Sequence, residues 1–113
     1  MNLRLTKFFN FSASYETKGR IIGHNYVLGV TMDYLTEEDE ISVSQKIQHD
    51  LIDQIHSKDF GLHVGFLKNK EIVDALLLGS FSEILKKSIF PLKIHTLTLK
   101  KDDRTSVSLE IGN

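Results

Sequence analysis

The chain has 113 residues, 41% apolar and 26% charged, with no cysteine and a net charge of −1. That length suits one domain, residues 1–113, with a real core. The missing cysteine excludes disulfides, thiolate metal ligands and a thiol nucleophile, and the near-neutral balance offers no global basic field for nucleic acid or an acidic membrane. No run reaches the roughly 18 apolar residues of a membrane span, and the opening residues lack an apolar stretch of signal-peptide length, so a cytoplasmic location is expected.

From Leu3 to Tyr15 the odd positions Leu3, Leu5, Phe9, Phe11 and Ala13 are apolar, while Arg4, Thr6, Asn10, Ser12 and Ser14 alternate with them. A period of two predicts a strand with one buried face, broken locally at Lys7 and Phe8. Glu16-Thr17-Lys18-Gly19 reads as a hairpin connection. The next run, Ile22, His24, Tyr26, Leu28, Val30, Met32 and Tyr34, alternates on the even positions and predicts an antiparallel partner. It leads into an acidic turn, Thr36 to Glu40.

The period then changes. Val43, Ile47, Leu51 and Ile55 recur every fourth residue, which predicts an amphipathic helix with Ser42 or Ser44 as its N-cap. Residues 58–68 read as an irregular crossing. A second helix is expected from Asn69, its cap, with Glu71 in the first turn and Gly79 permitting close packing. After Pro91, Leu92 and Ile94 share one parity but Leu97 and Leu99 the other, which predicts a bulge near His95-Thr96. A last strand alternates Thr105, Val107, Leu109 and Ile111 with polar residues. The order β-β-α-α-β-β predicts an α+β fold, a four-stranded antiparallel sheet with two helices on one face.

Two motifs stand out on the first two strands: Phe11-Ser12-Ala13-Ser14-Tyr15 and Gly23-His24-Asn25-Tyr26. Together they resemble the paired signature F-S-A-A-H and H-G-H-N-Y of the 6-pyruvoyl-tetrahydropterin synthase and 6-carboxytetrahydropterin synthase family. The motif resemblance covers residues 8 to 26, and the element order agrees along the chain. It implies the tunnelling fold (T-fold), in which several subunits close their sheets into a barrel, and hence a homo-oligomer, a trimer or a hexamer.

In that family three histidines hold a catalytic zinc, which leaves one position open for substrate. The resemblance places Tyr15, Ile22 and His24 at those positions, so His24 is the only surviving ligand and no metal is expected; zinc would return only with a functional site. The family's thiol falls in a stretch, Glu16 to Arg20, that has none. Its aspartate and histidine after the first helix fall near Ile55 to Gly61, which makes His56 and Asp59 the candidates for acid–base work. Its glutamate that accepts two N–H bonds from the pterin edge falls on Lys101, with Asp102 one residue on.

The residues at the family's ligand positions are therefore Tyr15, His24, Lys101 and Asp102. These substitutions predict a homologue that has lost zinc-dependent lyase activity, with binding of a pterin-like or purine-like heterocycle as what it retains. Two alternatives stand beside that: a divergent pterin synthase-type lyase working through other residues, and a non-catalytic structural or interaction protein. The sequence carries no H-E-x-x-H, P-loop, G-x-G-x-x-G or G-x-S-x-G motif.

Overall fold

In a computed structural model that describes residues 3–112, the chain begins with a long hairpin. Strands β1 (Arg4–Thr17) and β2 (Arg20–Asp33) pair antiparallel over their full length. Only Lys18 and Gly19 link them, both with positive φ (50° and 76°), the geometry of the two-residue turn that matches strand twist. The period of two is realised in the burial. Phe9, Phe11, Ala13, Tyr26, Leu28, Val30 and Met32 are buried on one face, and the residues between them lie toward the other.

The local break at Lys7-Phe8 has a physical reason on each side of the sheet. Lys7 points inward and its Nζ donates to Glu40 Oε1 at 2.8 Å. Phe8 lies on the outer face, 68% exposed, over Gly29, where a Cβ would stand 3.3 Å from the ring.

Helix α1 (Glu37–Ile47) starts earlier than the sequence predicted. Its N-cap is Thr36, whose hydroxyl accepts from Asp39 N at 3.4 Å, rather than Ser42 or Ser44. The acidic run expected as a turn is the first helical turn, where Glu37, Glu38, Asp39 and Glu40 meet the positive end of the helix dipole. A π-helical stretch (Gln48–Ile52) and a last turn, α2 (Asp53–Ile55), continue it. The expected stripe is there: Ile47, Leu51 and Ile55 are buried. The wider π turn also brings Ile52 into the core, which a strict 3.6 period does not anticipate.

The crossing over residues 58–68 holds more structure than expected. Strand β3 (Lys58–Asp59) pairs parallel with β1 at Ala13 and Ser14, helix α3 (Phe60–His63) follows, and Gly65–Leu67 form a 3-10 turn. The sheet is therefore five-stranded and mixed, in the order β3-β1-β2-β4-β5. A two-residue strand is too short to show a period.

Helix α4 (Asp74–Ser88) begins five residues after the expected cap. Asn69 is left-handed (φ 63°) and turns the chain, so Glu71 precedes the helix and Asp74 occupies its first turn. A Cβ at Gly79 would meet nothing within 4 Å, so close packing does not explain that glycine.

Strand β4 (Ile94–Lys100) pairs with β2, and the register skips His95 between Thr96–Thr31 and Ile94–Met32, the bulge that the parity change predicted. Strand β5 (Ser106–Glu110) closes the order. The helices cover the inner sheet face around a ring cluster. There Phe11 stacks on Tyr26 at 5.0 Å and meets Phe81 edge-on at 6.2 Å.

Candidate functional site

Hairpin pairing decides which motif residues meet. Tyr15 lies opposite Ile22 and Ala13 opposite His24. Because side chains alternate, Tyr15, Ile22 and His24 share the inner face near the hairpin end, each half-buried. The register thus brings together the three positions that the resemblance assigns to metal ligands. Their chemistry does not fit a zinc ion: one imidazole, one phenol and one alkyl group fall short of three nitrogen donors. Among the described residues, no three His, Cys, Asp or Glu side chains gather where they could hold a metal ion.

His24 packs edge-on against Tyr26, ring centroids 5.3 Å apart. Lys101 comes to the same region from the end of β4, and its Nζ donates to Asp74 Oδ2 at 2.9 Å, with both side chains partly exposed. That hydrogen bond pushes the Lys101 ammonium above the ordinary lysine range. Asp102 accepts from Arg104 N at 2.7 Å. This bond is the largest cause holding its carboxyl below the usual range, with Thr105 and the nearby His24 adding to it. The lysine and the aspartate at the anchor positions are thus both engaged within the chain. Asp74 completes the cluster, and sequence reasoning missed it because the start of α4 was placed at Asn69. Its only signal was an acidic residue directly before an apolar run.

His56 and Asp59 flank the outer side of β1. The His56 ring Nδ1 accepts from Ser12 N at 3.1 Å, and Ser57 N donates to Ser12 O at 2.6 Å, so both backbone groups of Ser12 are held from this side. Asp59 caps α3: its Oδ1 accepts from Gly61 N (3.0 Å) and Leu62 N (3.1 Å), and its Oδ2 accepts from Ser14 Oγ (3.1 Å). No hydrogen bond joins His56 to Asp59 among the described residues. Both fasten the crossing segment to β1.

A cavity of about 410 Å³ opens beside them, bounded by Ser12, Ser14, Gly23, Asn25, Lys58 and Asp59, with Ala13, His24 and Ser57 completing its wall. A second hollow of about 250 Å³ shares Ser12 and Asn25 with it and continues past Asn10 and Val27 to His56. Elsewhere, His49 and Ser88 both hydrogen-bond to Asp50. The carboxylate sits between hydroxyl and imidazole, so among the described residues no imidazole contacts the serine as a Ser–His nucleophile pair requires.

No protein-family model matches the sequence, and no curated protein matches it. Solved structures do match in shape. The Caenorhabditis elegans 6-pyruvoyl tetrahydropterin synthase superposes with a TM-score of 0.76 at 12% identity, over 97% of this chain and 96% of that one. A catalytic-residue mutant of the Plasmodium vivax 6-pyruvoyltetrahydropterin synthase gives 0.55 at 11% identity, over 98% and 99%. The fold is that of these pterin synthases, as the element order and the paired motifs predicted.

Proposed function

We propose that the chain is a single-domain, cytoplasmic protein of the pterin-synthase fold that does not perform zinc-dependent lyase chemistry. The carrying observation is the inner-face trio. The hairpin register sets Tyr15, Ile22 and His24 side by side, and only His24 among them donates a nitrogen. The Lys101–Asp74 pair and the Asp102–Arg104 turn support the same reading, since a pterin edge would have to break one of them to be held there.

As a homo-oligomer the chain would keep the architecture without the reaction. No helix among the described residues is long and apolar enough to cross a membrane.

The test is metal content and ligand response on the purified protein. We expect zinc far below one equivalent per chain after exposure to excess zinc and desalting. We also expect no thermal stabilisation by neopterin, sepiapterin or guanine. A specific ligand at 100 times its dissociation constant stabilises by about 2.7 kcal/mol, well within detection. A full equivalent of zinc would overturn the loss of lyase chemistry. Saturable stabilisation by one of the heterocycles, without zinc, would instead establish a retained pterin-like or purine-like binding function.

A further inference from the structure

The two sequence motifs divide between the sheet faces. Phe11, Ala13, Tyr15, His24 and Tyr26 face the core and the inner cluster; Ser12, Ser14, Gly23 and Asn25 face the other way. The inner half is accounted for by packing and by the degenerate trio. The outer half is not, and its residues all line the 410 Å³ cavity, which runs on into the hollow beside Asn10 and His56.

We propose that this outer cleft binds a neutral polyol, either a free monosaccharide or the ribosyl part of a nucleoside. Its wall alternates groups that donate and accept. Asn25 and Asn10 offer carboxamides with both functions, and Ser12 and Ser14 offer hydroxyls. Asp59 has one carboxylate oxygen, Oδ2, whose one hydrogen bond among the described residues is from the Ser14 hydroxyl. Because His56 Nδ1 accepts from Ser12 N, Nε2 is the ring nitrogen left to donate; it has no partner among the described residues, and His56 lines the adjoining hollow. Sugar hydroxyls, each donor and acceptor at once, match such an array.

Other ligand chemistries fit less well. Among the described residues Lys58 is the one lysine or arginine lining the larger cavity, and Asp59 stands beside it, which disfavours phosphate. The backbone N–H groups of Gly61 and Leu62 that would cradle an anion are already taken by Asp59. The Phe11 and Tyr26 rings, which could sandwich a flat base, are stacked on each other in the core. Gly23 leaves the floor of the cleft open, and a Cβ there would meet only Ala13 O, at 4.0 Å.

The test is a titration of the full-length, isotope-labelled protein by amide NMR with D-ribose, D-glucose, adenosine and inorganic phosphate. Saturable shifts confined to residues 10–14, 23–27 and 56–59 are expected with a sugar, with a dissociation constant on the order of millimolar from a handful of neutral hydrogen bonds. Adenosine binding more tightly than ribose identifies a nucleoside, and equal affinity a free sugar; both support the proposal. Asn25→Ala should weaken binding about 5-fold. Gly23→Val, a strand-compatible residue that fills the floor, should abolish binding while the protein keeps its thermal stability. Absence of saturable shifts, shifts elsewhere, shifts with phosphate alone, or binding undiminished in Gly23→Val would each overturn it. Zinc content and the response to guanine, which has no hydroxylated chain, do not bear on this outcome, so it fails or stands apart from the loss of lyase chemistry.

Discussion

Tyr26 is buried in the core, where burial first, then Tyr15 and Asp74, push its pKa upward. Lys101 is shifted the same way by Asp74. In both cases the protonated form is favoured in the folded chain. Stability from these groups is therefore complete below the ordinary tyrosine and lysine values, and is lost as the pH climbs above about 10 and the unfolded chain releases its protons more readily. Urea denaturation followed by circular dichroism between pH 7 and pH 11 should show a flat stability that falls at the alkaline end. Tyr26→Phe should make that fall shallower, whereas an unchanged slope would remove Tyr26 as its source.

The inner trio admits a constructive experiment at the same scale. Tyr15→His with Ile22→His would place three imidazoles on one face, with His24 as the third. The doubly substituted protein should take up about one zinc per chain, measured by elemental analysis, where the parent takes up little. Failure to bind would mean that the hairpin does not orient these positions toward a common point.

Among the elements, the strands were the legible part. Alternation from Leu3 to Tyr15 and from Ile22 to Met32 is visible in the letters because one face is buried and the other is not. The parity change around His95 disclosed the bulge for the same reason. Helix starts were less legible. Thr36 and Ser44 are both plausible caps by residue type, and what separates them is which backbone N–H groups are left over, a fact of three dimensions. The cap expected at Asn69 lies four residues before the actual one, Val73, which hid Asp74 and with it the partner of Lys101.

Those helices carry two sites of easy improvement. Ser44 Oγ is buried without a hydrogen-bond partner among the described residues, so Ser44→Ala should raise stability by about 1 kcal/mol. At Gly79 an added methyl meets open space, and Gly79→Ala should give a similar gain from helix propensity. Thermal unfolding curves would register each as a higher midpoint, and a lower midpoint for Gly79→Ala would mean that the methyl meets something outside the chain.

For the molecule as a whole, the α+β class and the tunnelling fold were readable from the period changes and the two motifs, because long amphipathic elements leave a strong trace. The fifth strand was not, since a two-residue bridge is specified by the fastening of Ser12 from His56 and Ser57 rather than by its own composition. The sheet leaves one face uncovered by helices, and β5 ends the order with a free edge. Multi-angle light scattering should therefore give a mass above 12.9 kDa, and that of a trimer or hexamer if the family resemblance extends to assembly. A mass of one chain would argue that both the edge and the face tolerate water.

The pairing of β2 with β4 stops at Val27, so residues 20–26 of β2 form an overhang on that flank with no strand partner there among the described residues. Backbone amides along such an overhang trade their hydrogens with solvent quickly when nothing lies against them, and slowly once a neighbouring subunit does. Deuterium uptake at those few positions, followed while the protein is diluted, would therefore act as a built-in gauge of subunit dissociation, readable without any label or substitution.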